Sequence, residues 1–124
     1  MPFIQEQNNL GDVLKYEAPN LYSREEITVA QGQNLALGSV VAKDTATNLI
    51  KVINPVATDG TQTAIGIVID RVEASSSDIK AVIIARDALL ADNSVVWPEG
   101  ITEEQKLLAI QQLEATGIII RKGV

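Results

Sequence analysis

The chain of 124 residues contains neither histidine nor cysteine. That removes the commonest general base, the commonest zinc ligands, the usual serine triad and any disulfide. Acid–base chemistry would then fall to carboxylates, as it does for the paired Asp and Glu of glycosidases. The candidates are Asp44, Asp59, Glu73, Asp78, Asp87 and Asp92, and most of them stand in stretches that read as turns. A turn aspartate usually bonds its local backbone, so the bland reading outweighs a catalytic pair. Residues 44–48 lack the glycine and closing glutamate of an EF-hand calcium loop. The serines at 75–77 read as a loop. Trp97 offers a face for stacking a sugar or base, but a lone tryptophan after two valines is more often core. Lys80, Arg86, Arg121 and Lys122 are too few for a nucleic-acid stripe. There is no Walker loop, no GxGxxG and no HExxH.

Composition narrows the class. The length suits one domain, and a 46% hydrophobic content can fill a core. Aromatics make up only 3%, so that core must be mostly Ile, Val, Leu and Ala. The net charge of −6 repels nucleic acid. No apolar run approaches the ~20 residues of a membrane span. The first residues, MPFIQEQNNL, lack a basic start and an apolar core, so synthesis without export and no membrane partner are expected. No cofactor, metal or catalytic residue is expected either.

Residues 1–24 differ from the rest. They are polar and turn-rich, yet they hold every tyrosine and phenylalanine of the chain. Phe3, Ile4, Leu10, Val13, Leu14, Tyr16, Leu21 and Tyr22 are spaced through them. One reading is a segment that frays or packs on its own domain. The other is an arm that orders on a partner, with those side chains as anchors. A short helix over 10–16 is weakly signalled. Residues 25–124 then form the main domain.

In that domain the alternation of EITVA (26–30) predicts a strand with Ile27 and Val29 inward. Further strands are expected at SVVA (39–42), LIKVI (49–53), AIGIVID (64–70) and IKAVIIA (79–85), with turns at 31–34, 44–48 and 58–61 between them. In AIGIVID, Ile65, Ile67 and Ile69 should share one face, and Gly66 should let another element pass close. In IKAVIIA, Val82 and Ile84 lie on a face that is charged at both ends. ALLAD within 87–93 suits a helical turn.

The closing stretch carries the clearest local signals. Val95, Val96 and Trp97 are strand formers, and Pro98 marks the strand end. Thr102 and Gln105 fit a capping box, with Glu103 and Glu104 in the first turn of a helix of about four turns. Gly117 should stop it, before a buried strand at 118–120. Leu107, Ile110 and Leu113 form one stripe, and Leu108 points about 100° away from Leu107. Either the domain touches this helix on two sides or one apolar side meets a neighbouring subunit. The whole reads as a compact, mainly β domain with one C-terminal α-helix.

Three stretches together resemble a known family. LKYEAPNLYSREEITVAQGQNLALGSVVAKD (14–44), TAIGIVIDRV (63–72) and SVVWPEGITEEQKLLAIQQLEATGIII (94–120) are similar, in order and spacing, to the bacteriophage head decoration proteins of the lambda D-like type. Trp97, Pro98 and Glu99 are the most recognisable match. The resemblance implies a bent-ribbon fold of the β-clip or β-tulip class and a homotrimer on the outer surface of the virion capsid. It implies binding to the major capsid protein after shell expansion, synthesis in the host cytoplasm, and stabilisation of the head against packaged DNA. Residues 1–24 would be the capsid-binding arm, and faces such as Val82 and Ile84 would be sealed between protomers. A tail, fibre or receptor-binding module is the alternative structural role, and a carboxylate enzyme the alternative of another class.

Overall fold

The computed structural model describes residues 10–122. In chain order the elements are α1 (Leu10–Val13), β1 (Leu14–Glu17), a 3₁₀ turn (Pro19–Leu21), β2 (Arg24–Val29), β3 (Asn34–Leu35), β4 (Val40–Lys43) and β5 (Ile50–Val52). Then come β6 (Gly66–Val68), β7 (Val72–Glu73), β8 (Ile79–Ile84), β9 (Ala88–Ala91), a second 3₁₀ turn (Asp92–Ser94), α2 (Glu103–Glu114) and β10 (Ile118–Arg121). The fold is mainly β with one C-terminal helix, as the alternation and the capping box require.

Strands β2, β5, β4, β6 and β8 close into a barrel in that order. Its longest seam is β2 against β8, antiparallel from Arg24↔Ile84 to Val29↔Ile79. A three-stranded sheet, β1-β9-β10, lies outside the barrel, and β3 pairs with β7 as a small ribbon.

Strand side chains alternate between faces. Here both faces are covered. Val41, Val68 and Ile83 point into the barrel with Val29, Leu35 and Ile50. Their neighbours Val40, Ile67 and Ile84 point outward into a second core with Val13, Leu90, Ala109, Leu113 and Ile118. All these side chains are at most 2% exposed. Burying a Val or Ile side chain contributes about 1.5–3 kcal/mol, so this shared wall is the largest source of apolar stabilisation. It also accounts for the unbroken apolar run at Gly66–Val68, all three residues of which are buried. Ile67 and Ile69 face the outer core together, whereas Ile65 joins the inner one. The expected common face fails at Ile65 because the strand begins only at Gly66.

Several expectations change with long-range pairing. ALLA is not a helical turn but β9, parallel to β10 and antiparallel to β1. Two partner strands override its helix propensity. Val95 to Trp97 forms no strand; only an isolated parallel bridge joins Ser39 to Val96. The helix expected over 10–16 stops at Val13 and becomes strand at Leu14. Ile84 is no protomer face: it is 0% exposed in the outer core, whereas Val82 is half-buried, and β8 is paired along both edges.

The helix is capped as expected. The Gln105 amide donates to Thr102 Oγ1 at 3.2 Å, and the Thr102 N–H donates to Gln105 Oε1 at 2.9 Å. Its buried side, however, is Ala109 and Leu113, while Leu107 and Leu108 face solvent at 58% and 55% exposure. The stripe of Leu107, Ile110 and Leu113 is therefore not the packing face. Small Ala109 lets the helix lie close to the barrel, and that fixes its rotation.

Gly66 permits the tightest approach in the wall. A Cβ there would lie 2.2 Å from the Ile84 carbonyl oxygen, a backbone atom with no room to yield. Gly66→Ala should therefore lower unfolding free energy by about 3 kcal/mol, an overpacking cost at the upper end of the usual range. Gly32→Ala, with nothing within 4 Å but a φ of +95°, should lose only about 1 kcal/mol. Urea midpoints at constant m-value check both.

Candidate functional site

The candidate carboxylates are dispersed. Glu73 pairs with Arg71, and Asp78 Oδ1 accepts from the Gln31 N–H at 2.7 Å. Asp92 opens the second 3₁₀ turn, and Asp87 stands at the start of β9 with a left-handed φ of 48°. Asp44 and Asp59 hold two interlocked turns. Asp44 Oδ1 accepts from the Ala46 and Thr47 amides, and its Oδ2 accepts from Lys51 Nζ at 3.2 Å. Asp59 takes the amide and hydroxyl of Thr61, while its own carbonyl takes the amide and hydroxyl of Thr45. Among the described residues no group of three or more His, Cys, Asp or Glu is placed to hold a metal. These aspartates do what turn aspartates usually do.

Those bonds favour the ionised form. The Ala46 amide, then Lys51, holds the Asp44 carboxyl below the usual range. The Thr61 hydroxyl and amide do the same for Asp59.

The aromatic N-terminal segment behaves differently from a simple arm. Phe3 and Ile4 lie outside the described residues. Val13 is 0% exposed and belongs to the outer core, and half-buried Leu14 packs against it. Leu10 is half-buried. Strand β1 pairs with β9, with a register shift between Leu14 and Tyr16. Tyr16, Leu21 and Tyr22 remain 57%, 58% and 59% exposed. Residues 10–24 are thus fastened to the body, and of the spaced apolar side chains Val13 and Leu14 serve that fastening.

The fastening is specific. Arg24 donates to both Glu17 oxygens, Nε to Oε2 at 2.9 Å and Nη2 to Oε1 at 2.7 Å. That bidentate pair holds the Glu17 carboxyl below its usual range against the opposing effect of burial. The buried Ser23 hydroxyl accepts from the Ala18 N–H and donates to the Asp87 carbonyl at 2.7 Å. Arg86 donates to the Tyr22 carbonyl at 2.7 Å and to Glu25 at 2.8 Å, with its guanidinium 5.3 Å from the Tyr22 ring centre. Leu21 is held at φ 59°, uncommon for a bulky residue. An open cleft of about 470 Å³ lies beside this clamp, lined by Tyr22, Glu25, Lys43, Ile65, Arg86 and Asp87.

Trp97 is half-buried and packs against the outer core, Pro98 is half-buried, and Glu99 is exposed. The trio links the Ser39–Val96 bridge to the cap of α2. Sequence reasoning missed Val56, which is 80% exposed. Its signal was a valine directly after Pro55, inside a turn-rich stretch. Leu107 and Leu108 carried a stronger signal, adjacent leucines that one helix face cannot bury together.

A β barrel with a fastened N-terminal segment that exposes Tyr16, Leu21 and Tyr22 is an arrangement suited to a structural or binding module. Residues 3–118 match the profile of the bacteriophage lambda head decoration protein D family. The chain belongs to that family and is, by membership, a structural protein of the phage head associated with the capsid. A comparison with curated proteins returned no match.

The lowered carboxyls of Asp44 and Asp59 set an acid response. A depressed folded-state value contributes stability above the unfolded value and loses it as pH falls through the folded one. Melting temperature should therefore drop below about pH 4. The double variant Asp44→Asn/Asp59→Asn should be less stable at neutral pH and show a shallower drop. Thermal melts across pH 2–7 test this; parallel curves for the two proteins would refute the assignment.

Proposed function

We propose that the protein binds the outside of the expanded phage head as a homotrimer, contacts the major capsid protein, and holds the shell against the pressure of packaged DNA. The family match over residues 3–118 carries this reading. The charge of −6 supports it, since an acidic protein is suited to the face turned away from the genome.

In this proposal residues 1–24 supply the capsid contact. Phe3 and Ile4 are anchors by sequence, and Tyr16, Leu21 and Tyr22 are anchors by exposure. An exposed tyrosine held by a clamp, as Tyr22 is by Arg86, suits an interface, because little conformational freedom is left to lose. A segment docked at one end can add a strand to a capsid edge. Specific contacts of this kind bury ~800 Å² per partner. Three segments on one trimer make individually weak contacts strong together. Ile84 is spent inside the protomer, so the trimer contact falls to apolar side chains elsewhere on the surface.

The buried Val13 dictates the test. Cutting back to Tyr22 would open the outer core, so the informative deletion is residues 1–9. That variant should keep its melting temperature within a few degrees and lose at least tenfold in affinity for expanded heads (about 1.4 kcal/mol), measured by co-sedimentation. Tyr16→Ser/Leu21→Ser/Tyr22→Ser should weaken binding similarly. Full occupancy by both variants would reject the segment as the anchor. Light scattering of head-bound protein released by mild dissociation should give three times the mass of one chain; monomer alone would reject the trimer.

A further inference from the structure

Two of the four large apolar side chains on α2 are turned away from the core. Leu107 and Leu108 are 58% and 55% exposed, while Ala109 and Leu113 make the buried side. At 3.6 residues per turn, Glu104 and Gln111 lie between the two leucines, and Glu103 and Glu114 lie just beyond Leu107. All four are exposed. The helix's single cation, Lys106, is half-buried and turned to Glu103 at 3.5 Å. The face is an apolar pair within an acidic rim.

It is also rigid. The capping box fixes the helix start. Gln112 Oε1 accepts the Ala64 N–H at 2.8 Å, tying the last turn of the helix to the segment that leads into β6. At the far end Gly117 takes a φ of +86°, and a Cβ there would lie 2.3 Å from Asp87 Oδ1. A partner would meet a surface that is already ordered, which lowers the cost of binding.

Charge selects the occupant. Nucleic acid and anionic lipid are repelled by the rim. A second copy brings its own net charge of −6 whichever surface it offers, and face to face it would set Glu103, Glu104 and Glu114 against their counterparts; like charges in an interface are costly. We propose that the outward face of α2 docks a basic segment of a different protein, one whose apolar side chains cover Leu107 and Leu108 while flanking Lys or Arg meet the glutamates. The inference is independent of the capsid contact through residues 1–24.

The test uses the full chain, isotopically labelled, titrated with an amphipathic Leu/Lys helical peptide. A control peptide keeps the lysines and replaces the leucines by serine. Expected are saturable shifts confined to α2 and its neighbours, and binding at least ~10-fold weaker for the control peptide and for Leu107→Ser/Leu108→Ser. Glu103→Gln/Glu104→Gln/Glu114→Gln should weaken binding and flatten its salt dependence. Should the leucine variant unfold, this glutamate variant and Leu108→Ala carry the test. Equal binding of both peptides, or shifts spread over other acidic surfaces, would overturn the proposal. So would a self-association of the wild-type chain that the leucine variant abolishes, because the face would then belong to a second copy.

Discussion

The molecule depends on one wall with two faces. In β4, β6 and β8, adjacent residues serve different cores: Val40 and Val41, Ile67 and Val68, Ile84 and Ile83. The barrel alone would leave the first of each pair in water. The sheet β1-β9-β10, the helix α2 and Val13 of the N-terminal segment cover them. Gly66 lets the wall close, since any side chain would press on the Ile84 backbone. Barrel, outer sheet and N-terminal segment are therefore one cooperative unit, because removing any layer exposes the same apolar surface.

That coupling bears on how a decoration protein can work. If it bears load on the shell, as proposed, it needs a body that transmits force without yielding. A close-packed wall filled largely by branched aliphatics, with short interlocked turns at its end, meets that need. On the proposed reading, the N-terminal segment must at the same time present apolar side chains to a partner. The chain reconciles the two by splitting the segment. Val13 and Leu14 hold it down, the Arg24–Glu17 and Ser23–Asp87 bonds fix its path, and Tyr16, Leu21 and Tyr22 stay outside. Holding Tyr22 under Arg86 removes motion that binding would otherwise have to freeze.

What the sequence disclosed was mostly local. The Thr102/Gln105 box and the stop at Gly117 depend on residues a few positions apart, and both appear where the pattern put them. Alternation located β2 and β8. What the sequence hid was set by distant partners. ALLA became strand because β1 and β10 flank it. The helix turned Ala109 and Leu113 inward, and left Leu107 outside, to pack on an outer core built from distant strands. Val13 drew no signal of its own in a polar stretch, although it fills the outer core. Exposure of Tyr16, Leu21 and Tyr22 followed from their setting in residues 1–24; which of their neighbours are buried did not.

Electron microscopy of expanded heads incubated with the purified protein tests the central claim most directly. The account predicts external density at the threefold positions of the lattice, into which three copies of the barrel fit with residues 10–24 toward the shell. Heads that remain bare, or copies bound only to tail or fibre structures, would contradict it.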